Sequence, residues 1–243
     1  MPVITFASQK GGVGKTTTLI SLATCLHYIY DKSVRVLDSD IPQNSAFKLR
    51  DKERDKVKKA IIAYQKGEET PFYLPKILNN PKRAYPIEIV DILDVNDVIG
   101  EYKEEFIFID SLGTMNTEGY DNLFKASDYI ILPMSVDFFD FSATLEYVEL
   151  LEKAMKQKLL KGYFILLNKV NQRAAGDAEE TFELLDIKGI PYFKNFIPLG
   201  EPYKREPMTS EKYYRTGVRS TMLPTSNHYI NKISEELINK MSE

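Results

Sequence analysis

The sequence predicts a doubly wound α/β fold, a mostly parallel sheet with helices on both faces, and three observations carry that expectation. Short β-branched or aromatic runs alternate along the chain with longer segments of helical period, which is the pattern of βαβ units around a parallel sheet. The first such run leads directly into a glycine-rich turn and then a helix-forming stretch, the order in which a strand delivers a turn to the carboxyl edge of a sheet. No Pro/Gly/Ser-rich linker divides the 243 residues, and no repeat at solenoid or propeller period recurs. One domain spanning residues 1–243 is the economical reading.

The elements follow in order. Strands are expected near 3–8, 34–39, 86–92, 106–110, 129–134, 162–168 and 192–197, each a short run rich in Val, Ile, Phe or Tyr. Helices are expected near 15–29, 45–65, 117–126, 141–159, 176–187 and 226–242. The last two rest on Gly176 as a boundary and on Thr225 or Ser226 as an N-cap. The final helix carries an apolar stripe at Ile230, Ile233, Leu237, Ile238 and Met241 but more acid than base, which suits docking on the sheet better than lying on anionic lipid. The stretch 67–85, with Pro71, Pro75 and Pro81, gives no functional reading.

Composition narrows the chemistry. Hydrophobic residues make up 43% and charged residues 28%, as in ordinary globular chains. Thirty-two Lys and Arg against thirty-five Asp and Glu leave −3, so any surface for a polyanion must be local. One cysteine, Cys25, and two histidines, His27 and His228, exclude disulfide scaffolds and cysteine-held metal clusters. The first residues lack the charged and apolar regions of a signal peptide, and no apolar run approaches the ~18 residues of a membrane span. A cytoplasmic protein with no membrane partner is expected.

The strongest local signal is Ser8-Gln9-Lys10-Gly11-Gly12-Val13-Gly14-Lys15-Thr16-Thr17, between the first strand and the first helix. It follows G-x-x-x-x-G-K-[ST] except that Gln9 stands at the first glycine position. Glycines let the backbone curl and aim successive N–H groups at phosphate oxygens, and the helix start adds its positive dipole end. Lys15 supplies a point charge toward the β- and γ-phosphates, and the Thr16 hydroxyl suits Mg²⁺. Lys10, Gly11, Gly12, Val13, Gly14, Lys15, Thr16 and Thr17 are the expected nucleotide-binding residues.

The run Lys10 to Thr17 resembles the deviant Walker A loop of the ParA/MinD/Soj family of ATPases, closest to the ParA/Soj partition type without an N-terminal DNA-binding domain. The resemblance implies a P-loop NTPase fold, with ATP and Mg²⁺ as cofactors. It also implies a sandwich dimer in which Lys10 reaches the partner's ATP. Val34 to Asp40 resembles the family's second strand with its Asp-x-Asp, although Ile41 intervenes before Pro42-Gln43. Phe106-Ile107-Phe108-Ile109-Asp110 resembles its Walker B strand.

Carboxylates at the carboxyl ends of parallel strands suit phosphoryl transfer, which needs a metal near the phosphates and an oriented water. Asp110 is assigned to Mg²⁺, directly or through a water. By resemblance Asp40 positions the water and Asp38 is an outer-shell metal partner. Lys10, Lys15 and Asp40 are thus the expected catalytic set, and Thr16, Asp38 and Asp110 the metal set. Asn168, after Phe164 to Leu167, reads either as the family's adenine-reading residue or as an asparagine closing a strand in a turn, and Phe196-Ile197-Pro198 resembles the base-flanking loop.

Two segments are locally basic. Lys48 to Lys66 holds Lys48, Arg50, Lys52, Arg54, Lys56, Lys58, Lys59 and Lys66 against Asp51, Glu53 and Asp55. The other gathers Lys204, Arg205, Lys212, Arg215 and Arg219 with three glutamates. Each reads either as a solvated face, with pairs such as Asp55 and Lys59, or as a footprint for phosphate without base readout.

The expected function is an ATP-dependent dimeric switch for partition or positioning of DNA, hydrolysing ATP slowly. By resemblance it is stimulated by a ParB-like DNA-binding protein and retained on nonspecific double-stranded DNA. The alternatives are a dethiobiotin-synthetase-like ligase and a protein-positioning ATPase that does not bind DNA.

Overall fold

The computed structural model describes residues 1–112, 120–171 and 175–242. Its sheet has strands β1 (Val3–Phe6), β2 (Val34–Asp38), β3 (Ile87–Ile89), β4 (Phe106–Asp110), β5 (Tyr129–Met134) and β6 (Gly162–Leu167). All pairs are parallel, in the order β3-β2-β4-β1-β5-β6. From β1 the chain runs one way to β2 and β3, then returns to β4 and crosses β1 to reach β5 and β6. That reversal leaves the carboxyl edge around β1, β2 and β4 open to a ligand.

Helices cover both faces: α1 (Lys15–Tyr28), α2 (Ser45–Gln65), α3 (Tyr73–Leu78), α4 (Val95–Ile99), α5 (Tyr120–Ala126), α6 (Phe138–Lys156), α7 (Ala175–Ile187), α8 (Glu211–Thr216) and α9 (His228–Lys240). Strict alternation along the strands builds two cores. Ile4, Phe6, Val34, Val36, Phe106 and Phe108 pack with Leu19, Leu22 and Leu26 of α1 and with Ile230, Ile233 and Leu237 of α9. Val3, Leu37, Ile107, Ile109, Ile130 and Leu132 face Leu123, Tyr147, Leu151 and Leu185 on the other side. The expected α9 stripe is therefore spent on the sheet. No helix among the described residues is long and apolar enough to cross a membrane.

Several expectations need correction. The run 192–197 is not a strand. Phe193 N and Ile197 N donate to Ile165 O and Leu167 O on β6, at 2.8 and 2.9 Å. Between them the Glu236 carboxylate accepts from Lys194 N at 2.8 Å and from Asn195 N at 3.2 Å, so the ladder breaks into isolated bridges. The cap of α9 is Asn227, whose Oδ1 accepts from Ile230 N at 3.0 Å, rather than Thr225 or Ser226. Residues 117–119 of the helix expected near 117–126 lie outside the described residues. Within 67–85, α3 forms despite Pro75, which sits in its first turn, where no backbone N–H is needed.

Arg50 is not part of a basic surface. Spacing of three and four residues sets Ala46, Arg50, Glu53, Val57 and Ala60 on the buried face of α2. Arg50 Nε donates to Thr221 Oγ1 at 2.7 Å and Nη2 to Thr221 O at 3.0 Å. Glu53 accepts from Ser220 Oγ at 2.7 Å and Thr221 N at 2.9 Å, while burial pushes its carboxyl above the usual range. This clasp fastens α2 to the segment after α8. Glu53→Ala leaves the buried Ser220 hydroxyl and Thr221 N–H without their acceptor and removes a carboxylate that offsets the buried Arg50 charge, and should destabilise the fold by about 2–4 kcal/mol, read by urea denaturation. A loss below about 1 kcal/mol would show that the clasp is not a stability element.

Candidate functional site

Residues 8–14 turn from the end of β1 into α1. Gly12 and Gly14 take φ of +77° and +92°, conformations that a side chain disfavours. The first turn of α1 carries no acidic residue, and Gly14 caps it without a side chain. The helix therefore presents its N–H groups and positive dipole end to whatever occupies the loop. Ser8 Oγ donates to Lys10 O at 3.0 Å, and Thr18 N donates to Gly14 O at 2.8 Å to start the ladder.

The β1, β2 and β4 ends bring the expected charged set together. Lys15 is buried, its ammonium 3.2 Å from Asp110 Oδ1 and 3.4 Å from Asp40 Oδ2. Thr16 Oγ1 donates to Asp110 Oδ2 at 2.6 Å. Burial pushes the Asp110 carboxyl up, opposed by the Lys15 charge and the Thr16 hydroxyl. Asp38 lies beside Asp110 in register. Its oxygens accept from Phe47 N at 2.9 Å and Asp40 N at 3.4 Å, so it tethers α2 and the loop after β2. Burial, with the Asp110 charge adding, pushes its carboxyl up to about 6.

Lys10 is about half exposed, with its ammonium 2.5 Å from Asp140 Oδ1 in the first turn of α6. The Asp140 carboxylate raises the lysine above its usual range. Asp140 gave no signal in the sequence, because only the fold carries it to the loop. Asn168 is buried, and its Nδ2 donates to Val13 O at 2.7 Å. Its Oδ1 accepts from Lys169 N at 2.9 Å, so the amide is engaged by the loop and by its own backbone. The peptide before Pro42 is cis, and Lys48 Nζ donates to Pro42 O at 3.1 Å.

A cleft of about 700 Å³ opens over the loop, lined by residues 10–18 and closed opposite by Pro198, Leu199 and Tyr203. That size lies within the range of cofactor sites. Lys10, Lys15, Lys169, Lys204 and Arg219 line it, and Asp40 is its one carboxylate among the described residues. Five cations against one acid make the cleft attractive to a polyanion, and Lys10 and Lys15 belong to the loop itself. Among the described residues no three His, Cys, Asp or Glu converge on a metal. The Thr16 hydroxyl and Asp110 carboxylate instead supply the few hard oxygens that Mg²⁺ needs when phosphates complete its shell.

A profile described as the CobQ/CobB/MinD/ParA nucleotide binding domain matches residues 4–212. The chain belongs to this family. It is 31% identical over 202 residues to an uncharacterized ATP-binding protein of Methanocaldococcus jannaschii, covering 77% of this chain and 71% of that protein. It is 26% identical over 205 residues to the maintenance of carboxysome distribution protein A of Gloeobacter kilaueensis, covering 84% and 79%. Among solved structures, cobyrinic acid a,c-diamide synthase of Mycobacterium smegmatis with ADP and magnesium superposes with a TM-score of 0.65 at 15% identity, covering 100% and 96%. The pNOB8 ParA bound to nonspecific DNA gives 0.61 at 16%, covering 99% and 98%. These likenesses confirm the P-loop ATPase fold and the family that the motifs pointed to.

The two basic segments meet in space. Lys52 and Lys56 of α2 reach Glu206 at 2.9 and 3.5 Å, and Arg219 approaches the same carboxylate at 4.0 Å. Burial pushes the Glu206 carboxyl up, but Lys52 and Lys56 together hold it below its usual range. The α2 surface pairs are Asp51 with Arg54 and Asp55 with Lys58, not Asp55 with Lys59. Lys204 and Arg205 pair with Glu201 at 3.8 and 3.4 Å. Glu206 was missed because its importance lies in joining segments 150 residues apart.

Proposed function

We propose that this protein is a Mg²⁺-dependent ATPase that works as a dimerising switch and positions a cargo along nonspecific double-stranded DNA. The observation that carries it is the constellation of buried Lys15 and Asp110 with Thr16 beneath a cationic cleft, with Lys10 left at the mouth. Gly11 to Thr17 hold the phosphates, and Lys15 neutralises charge on the β- and γ-phosphates. Mg²⁺, when bound through Thr16 and Asp110, neutralises further charge on those phosphates. Asp40 is the acceptor that orients the attacking water, since no other described carboxylate lines the cleft. Asp38 holds the loop that carries Asp40. Asn168 stands where the family reads adenine, and its second N–H, now 3.4 Å from Thr18 Oγ1, is the one to offer a base while the first stays on Val13 O.

Lys10 exchanges Asp140 for the second copy's ATP. In a metabolic ligase of the same fold, an exposed lysine at the loop mouth has no required role, which favours the switch. A ParB-like partner would accelerate hydrolysis. The ParA bound to nonspecific DNA has this fold, and the curated relative named for carboxysome distribution supports a positioning role.

The DNA surface is the merged basic face of Lys52, Lys56, Lys204 and Arg219. Binding there is driven by counterion release and should be steeply salt-dependent. Replacing Lys52, Lys56, Lys204 and Arg219 by Glu should cut ATP-dependent retention on random-sequence duplex DNA at least a hundredfold, with ATP binding measured alongside. Retention that survives the four reversals would place the DNA elsewhere. A wild type that hydrolyses ATP but never binds DNA would favour a protein cargo.

A further inference from the structure

The peptide planes of the phosphate loop are oriented from outside the loop. Just past the end of β6, Lys169 adopts a left-handed backbone with φ of +59°, a region that lysine rarely occupies. That kink lets two successive side chains reach residues 12–14. Asn168 Nδ2 donates to Val13 O at 2.7 Å, and Lys169 Nζ donates to Gly12 O. Gly14 has no room for a Cβ, which would overlap Asn168 Nδ2. A side chain at residue 14 would push the Asn168 amide off Val13 O, and the φ of +92° disfavours one on its own account.

In a trans peptide the carbonyl and the following N–H point in opposite directions. Holding the Gly12 and Val13 carbonyls toward residues 168–169 turns the Val13 and Gly14 N–H groups the other way. A loop that cradles phosphate needs consecutive N–H groups turned to one side. Left to itself, a run containing Gly11, Gly12 and Gly14 has wide conformational freedom, and ordering it would weaken binding.

We propose that Lys169 is a positioning residue for nucleotide phosphate: together with Asn168 it fixes the Gly12 and Val13 peptide planes and does not itself contact the phosphates. This rests on the reading of residues 10–17 as a phosphate-binding loop. It makes the turn after β6 a mechanical support for the loop after β1, in addition to any contact with the base.

Lys169→Asn is the informative variant, because asparagine suits the left-handed backbone and the fold is spared, while the side chain is too short to reach Gly12. Lys169→Arg keeps a long donor. Affinities for Mg-ATP and for magnesium pyrophosphate are measured by calorimetry, and amide ¹⁵N shifts of Val13 and Gly14 are recorded without nucleotide. The expected result is about a tenfold weakening of both ligands in Lys169→Asn, near-wild-type affinity in Lys169→Arg, and displaced Val13 and Gly14 resonances in Lys169→Asn. Weakening of ATP alone would overturn the proposal in favour of a contact with base or ribose. Weakening of both with unmoved resonances would overturn it in favour of direct phosphate contact. A wild type that binds neither ligand would remove the phosphate-loop reading and the proposal with it. If the wild type binds both, failure of the variant to weaken them counts against Lys169 alone.

Discussion

Lys15→Ala is expected to weaken ATP binding by about a hundredfold, on the order of 3 kcal/mol, and to abolish turnover. The size follows from the burial of this ammonium, which sits 3.2 Å from Asp110 and 3.4 Å from Asp40 at the floor of the cleft. A buried charge is screened less than a surface one, so its attraction for phosphate is strong and no neighbouring lysine replaces it. Its removal also leaves Asp110 with Thr16 as its remaining partner from this set. Repulsion between that carboxylate and an incoming phosphate adds to the loss. Calorimetry with a non-hydrolysable ATP analogue reads the effect. An affinity within threefold of wild type would contradict the assignment of Lys15.

Asp40→Ala should separate binding from chemistry. Asp40 lines the cleft but is one of two carboxylates at Lys15, and Asp110 remains to position the ammonium. ATP affinity should stay level or rise, since a negative charge beside the phosphates is gone. Turnover should fall by about a hundredfold to ten-thousandfold, the range for loss of a group that orients or deprotonates the attacking water. Single-turnover hydrolysis with Mg-ATP reads it. Equal losses in affinity and turnover would mean that Asp40 holds the loop or the metal and not the water.

Much of this site was legible in the sequence because it is local. The run from Lys10 to Thr17 needs only a strand before it and a helix after it, and Phe106 to Asp110 announces itself as a buried strand ending in a carboxylate. Alternation of side chains between the two cores made the strands readable as well. What failed was long-range. Tyr192, Phe193 and Phe196 resemble a strand, yet a carboxylate on α9 takes the backbone N–H groups that a ladder would need. Arg50 looked like surface charge until its helical phase, shared with Ala46, Glu53 and Val57, is followed inward. That phase was available in the sequence. Asp140, Lys169 and Glu206 were not, because their partners lie 130, 157 and 150 residues away.

Asp38 and Asp40, two residues apart, have different surroundings. Asp38 points into the protein, where backbone N–H groups of the loop and of α2 occupy it. Asp40 is two residues further on, in the loop after β2, and lines the cleft. The family resemblance separates the two aspartates in the sequence, and the structure adds the direction in which each side chain leaves the strand end.

On the proposed function, ATP converts a monomer into a dimer through Lys10. The direct measurement is the solution mass by sedimentation velocity of the Asp40→Ala protein, in which ATP persists, with Mg-ATP and with Mg-ADP. Lys10→Ala in the same background is the control. The account predicts a dimer with ATP, a monomer with ADP, and a monomer in both states once Lys10 is gone while ATP remains bound. A monomer with bound ATP, or a dimer indifferent to nucleotide and to Lys10, would contradict it.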